Sequence, residues 1–70
     1  MLKAKINNAL YCRVELTDID NDKFVGWLIP SPYNNRHYMI LPIDNVNCST
    51  GFTARAIKSI KHLSNGVVLK

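Results

Sequence analysis

GFTARAIKSIKHLSNGVVLK, residues 51–70, is the stretch whose reading decides the fold. As a helix over 53–64 it would bury Ala56, Ile57, Ile60 and Leu63 on one stripe. Arg55, Lys58, Lys61 and His62 would lie mostly away from it. Thr50 or Thr53 would cap its start, and Asn65-Gly66 would end it with a left-handed turn. As a strand, Phe52, Ala54 and Ala56 alternate with Thr53, Arg55 and Ile57, a helical turn follows at 58–60, and VVL makes a closing strand. Periodicity alone leans to the helix. The segments upstream lean to the strand.

Residues 36–43, RHYMILPI, alternate Tyr38 and Ile40 against Met39 and Leu41, and Pro42 puts the end of that strand at an edge or bulge. Residues 24–29, FVGWLI, are apolar throughout. Gly26 in the middle marks a bend or a close backbone approach, the device by which one strand serves two sides of a small barrel. Pro30 and Pro32 then stop the ladder, because neither has an N–H to donate, and Asn34-Asn35 supplies turn geometry. Residues 9–16, ALYCRVEL, place Cys12, Val14 and Leu16 on one face and Arg13 and Glu15 on the other, with period two. TDIDNDK, 17–23, is a turn; it lacks the glycine and distant glutamate of a calcium loop. DNVNCSTG, 44–51, is a loop. Residues 1–8 leave no room for a long helix: they fray, or Leu2, Ala4 and Ile6 alternate inward as an edge strand.

Short strands, a bent glycine strand, a compact segment and a closing VVL predict an all-β, five-stranded small barrel. The alternative is α+β, an antiparallel sheet with one helix near 53–64. The plan resembles the SH3-like and Sm-like barrels. Lys23-Phe24-Val25-Gly26-Trp27-Leu28, Asn34-Asn35 and Tyr38-Met39-Ile40-Leu41 look like a first Sm motif. Ala54-Arg55-Ala56-Ile57-Lys58-Ser59-Ile60 looks like an Sm-type strand entering its terminal turn. The two prolines, the longer turn and the missing long N-terminal helix depart from the Sm pattern. The resemblance therefore implies the barrel and not ring assembly or the family's RNA pockets.

Seventy residues, 47% of them hydrophobic, make one domain, 1–70, with a stability on the order of 3–5 kcal/mol. Nine Lys and Arg against five Asp and Glu give +4, and every acid (Glu15, Asp18, Asp20, Asp22, Asp44) precedes residue 45. The basic remainder favours an anionic partner. Cys12 and Cys48, thirty-six apart, read as reduced thiols, and the absence of an apolar leader or span points to the cytoplasm and away from membranes.

No phosphate loop, nucleophile–base set or Cys/His cluster occurs, so neither catalysis nor a cofactor or metal is expected. The expected function is that of a small regulatory or adaptor protein working by protein contact, with Trp27, Tyr33 and the SPY segment as anchors. The alternative is RNA or DNA binding. Arg55, Lys58 and Lys61 would meet phosphate, while Tyr33, Arg36 and His37, with Tyr38, would supply a base-contacting loop. A core or solvated-face role competes for each: Trp27 and Tyr38 as core residues, the lysines as an ordinary wet surface. A second copy completing a strand edge is a further partner class.

Overall fold

A computed structural model describes residues 1–43 and 49–70. The chain runs through a one-turn helix α1 (Lys3–Asn7), then β1 (Arg13–Asp18), β2 (Lys23–Pro30), β3 (His37–Leu41) and β4 (Thr50–Thr53). A 3-10 turn (Ala54–Ala56) leads to β5 (Ile57–His62) and a two-residue β6 (Val68–Leu69). All six strands join one antiparallel sheet in the order β4-β3-β2-β1-β5-β6. The protein is thus mostly β with one short helix. The helix expected as an alternative at 53–64 is absent; two strands and a 3-10 turn occupy that stretch. The helical turn falls at 54–56 rather than 58–60, because Thr53 Oγ1 accepts the Ala56 N–H at 3.3 Å and caps it there. The loop expected at 44–51 lies largely, and Cys48 wholly, outside the described residues.

β1 runs 13–18 rather than the expected 9–16, because the chain turns through Tyr11 at φ 64° first and the strand extends into the expected turn. Within it the expected alternation holds, with Val14 and Leu16 buried, Arg13 exposed and Glu15 half-buried. β5 does not alternate, for Ile57 and Ile60 are both buried. A bulge explains it. Leu16 pairs with Ile60 and Thr17 with Ser59, but Asp18 pairs with Ile57, so Lys58 is the extra residue.

The sheet is strongly curled. Phe52 lies level with Tyr38 and Pro30 across β4, β3 and β2, six residues along β2 from Phe24. On a flat sheet their side chains would stand roughly 20 Å apart. Their rings in fact meet edge to face, centroids 5.0 Å apart. Connectivity requires the same. β4 and β5 are four strand spacings apart in the sheet, about 19 Å if flat, whereas the four residue steps from Thr53 to Ile57 reach at most about 14 Å.

Gly26 permits the curl. A Cβ there would overlap the Leu41 carbonyl oxygen, lie 2.7 Å from its carbon and 3.0 Å from Ile40 Cγ2. The close approach expected of this glycine is present, and it is backbone against backbone.

Inside the curl lie Val14, Leu16, Leu28, Tyr38, Ile40, Phe52, Ile57 and Ile60. Ile6 of α1 and Ala9 complete this cluster, both fully buried. The N-terminal segment is therefore neither a frayed end nor an edge strand. It packs on the core, and the Met1 amino group donates to the Ala54 and Ile57 carbonyls at 2.7 and 2.9 Å. Tyr38 is buried, and its hydroxyl donates to Asn7 Oδ1 at 3.0 Å, tying α1 to β3.

Candidate functional site

Because Gly26 and Leu28 face inward, Val25 and Trp27 face solvent, with 47% and 42% of their surfaces exposed. Their strand neighbours follow from register. Trp27 stands between Leu41 on β3 and Arg13 on β1, and Val25 stands opposite Glu15. Ile29, half-buried, and Met39, paired with it and buried, share this parity but add little open surface. With Tyr38, Met39 and Ile40 all buried, β3 does not show the two-faced alternation expected of it. A glycine selected for an inward close approach forces both neighbours outward, and this was the signal in the sequence for a solvent-facing Trp27. The core role that competed for this residue does not hold; the one that competed for Tyr38 does, which removes Tyr38 as a base-stacking platform.

The charges around this apolar centre are mostly positive. Lys23 reaches Glu15 at 3.7 Å, with side chains 64% and 30% exposed. Glu15 also faces Lys61 across the β1–β5 pair, and Arg13 precedes it by two on the same face. One carboxylate is thus set among three cations. Nothing along the chain marks Arg13, Lys23 and Glu15 as site residues, because their importance depends on the β1–β2 pairing and on Lys61 arriving from β5.

The six residues singled out in the sequence fall into separate places. Tyr33 is 89% exposed in the β2–β3 connection, where Ser31 Oγ accepts its N–H at 3.2 Å. Arg36, exposed, donates its N–H to Asn34 Oδ1 at 3.0 Å. His37 opens β3, half-buried, and pairs with Thr53, two residues before the exposed Arg55 in the 3-10 turn. Register therefore brings Tyr33, Arg36, His37 and Arg55 toward one end of the sheet. Lys58 lies elsewhere, its Nζ donating to Asn21 Oδ1 at 2.6 Å beside the acidic turn, and Lys61 is on the outer face opposite Glu15.

The acidic turn itself is built from local hydrogen bonds. Asp18 Oδ1 accepts the N–H groups of Asp20 and Asp22, each at 2.9 Å, and Asn21 sits at φ 65°, a conformation Asn tolerates. Among the described residues no group of three His, Cys, Asp or Glu side chains converges, no cavity opens, and no helix is long and apolar enough to cross a membrane. Cys12 is a free, half-buried thiol whose Sγ donates to the Leu10 carbonyl at 3.6 Å.

No known family, curated protein or solved structure matches the chain.

Proposed function

We propose that this chain is a small, non-catalytic, cytoplasmic regulatory or adaptor protein that works by protein–protein contact through the outer face of β1, β2 and β3. The single observation that carries this reading is Trp27, 42% exposed beside Leu41 and in one column with the exposed Val25. A large aromatic side chain kept in water by a small protein is costly unless something covers it, and Trp is the residue type most often found at the centre of protein contacts.

The same proposal includes an SH3-like barrel, with the curled sheet as its wall and β6 as an addition. The 3-10 turn between β4 and β5 and the Phe24–Phe52 contact across the interior support it. A closed wall leaves short edges, so a broad outer face is the natural docking surface.

A partner should protect Trp27. Trp27→Ala is expected to abolish capture of a protein partner while leaving the circular dichroism spectrum unchanged; capture at wild-type level by the folded variant would remove the proposal.

A second reading rests on Tyr33, the most exposed large hydrophobic side chain of the described residues, in a loop with Arg36 and near His37 and Arg55. That group offers one stacking ring and cations for a single-stranded nucleic acid, with Lys58 and Lys61 contributing from elsewhere on the surface. It requires salt-dependent binding of a short RNA or DNA oligonucleotide; none at low salt would exclude it.

A further inference from the structure

We infer that the outer face of β1–β3 takes an acidic protein segment, one that sets a large apolar side chain on Trp27, Val25 and Leu41 and its Asp or Glu side chains over Arg13 and Lys61. This rests on the outer face being the contact surface, and it adds the chemistry of the partner.

The argument is charge complementarity. Arg13 is the cross-strand neighbour of Trp27, and Lys61 faces Glu15, the neighbour of Val25. Arg13, Lys23 and Lys61 are all exposed. Glu15, the one acid among them, is engaged with Lys23. The other described acids are not on this face: Asp18, Asp20 and Asp22 lie in the turn beyond Thr17, where Asp18 is occupied by backbone N–H groups. A partner arriving here thus meets an apolar centre with a cationic flank on the β1 side. Complementary charge steers encounter and rejects basic competitors.

Two other occupants fit less well. A second copy docked face to face presents the same net positive outer face, with Arg13, Lys23 and Lys61 against the single acid Glu15, so it brings no charge complement of its own. Single-stranded nucleic acid gains from successive aromatic platforms, and this face has one indole among aliphatic neighbours, with Tyr33 away in the β2–β3 connection.

The test is selection of short random peptides displayed against the immobilised 70-residue protein. The expected pool carries Asp or Glu on both sides of an aromatic or aliphatic residue. Its members should bind wild type at least about tenfold more tightly than Trp27→Ala, Val25→Asp or the double variant Arg13→Glu/Lys61→Glu, all checked for native circular dichroism. Replacing the peptide acids by Lys should abolish binding. Peptides that depend on Trp27 but are neutral, and are indifferent to R13E/K61E, overturn the acidic partner and leave the contact surface standing. Peptides indifferent to W27A and V25D overturn both. An empty selection, a dimer in sedimentation velocity that W27A dissolves, or W27A-sensitive binding of a short oligothymidylate each overturns the inference.

Discussion

Replacing Gly26 by Ala should remove most of this protein's stability, though the change adds one methyl group. The added Cβ would overlap the Leu41 carbonyl oxygen and lie 2.7 Å from the carbonyl carbon, inside the 3.0 Å that real Cβ atoms respect. Flexible side chains can yield to an extra methyl for about 1–3 kcal/mol. Here the obstruction is peptide backbone in the β2–β3 ladder, so relief requires pulling β3 away from β2, and a cost of about 3 kcal/mol is expected. Alanine's restriction of the unfolded chain returns only about 0.4–1 kcal/mol. Against a total on the order of 3–5 kcal/mol, the net loss of about 2–3 kcal/mol removes most of the stability. The other two glycines are controls. Gly51→Ala meets only the Tyr38 carbonyl oxygen at 3.9 Å and should shift stability by less than about 0.5 kcal/mol. Gly66, at φ 74° with nothing nearby, should cost about 1 kcal/mol for backbone conformation alone. Urea titrations followed by far-ultraviolet circular dichroism give all three midpoints. If Gly26→Ala melts with Gly51→Ala, the close approach of β3 over β2, and with it the curl, is wrong.

Tyr38→Phe removes the hydroxyl that holds Asn7 and should lower stability by about 1 kcal/mol, a fall in Tm of about 4–8 °C by calorimetry, with the sheet intact. Asp18→Ala leaves the Asp20 and Asp22 N–H groups without their acceptor and should cost a similar amount in urea; a loss below about 0.3 kcal/mol would mean that the turn holds itself. Lys58→Ala deletes an exposed hydrogen bond to Asn21 and should shift the urea midpoint by less than about 0.5 kcal/mol equivalent.

Much of the strand layout was legible because it depends on local facts. Gly26, Pro32 just past β2 and the alternation of β1 each carry their meaning within a few residues. Pro30, expected to stop the ladder, is instead its last paired residue on β2, opposite Tyr38. The C-terminal third was ambiguous for a specific reason. The bulge opposite Thr17 and Asp18 makes Ile57 and Ile60 both inward at a spacing of three, which is also the signature of a helical stripe. A bulge is a property of two paired strands, and neither strand shows it alone. At the N-terminus the error ran the other way: Leu2, Ala4 and Ile6 suggested alternation, while Ile6 and Ala9, three apart, are the pair that packs on the core.

The candidate site was the least legible part. FVGWLI is apolar at every position, so composition does not say which half faces water, and only the inward requirement on Gly26 decides it. Tyr33, Arg36, His37, Arg55, Lys58 and Lys61 stand out along the chain by charge and aromaticity alone. Register divides them among one sheet end, the acidic turn and the outer face. The grouping of Arg13, Lys23 and Lys61 around Trp27 and Val25 comes from strands up to about fifty residues apart in sequence, which only the pairing brings together.

The most direct test of a protein-contact face centred on Trp27 is capture from a native lysate by immobilised wild-type protein and Trp27→Ala in parallel, each before and after nuclease treatment. A protein species that survives nuclease and is lost with Trp27→Ala is the predicted result. Loss of that species on nuclease treatment, or equal capture by the two proteins, would contradict it.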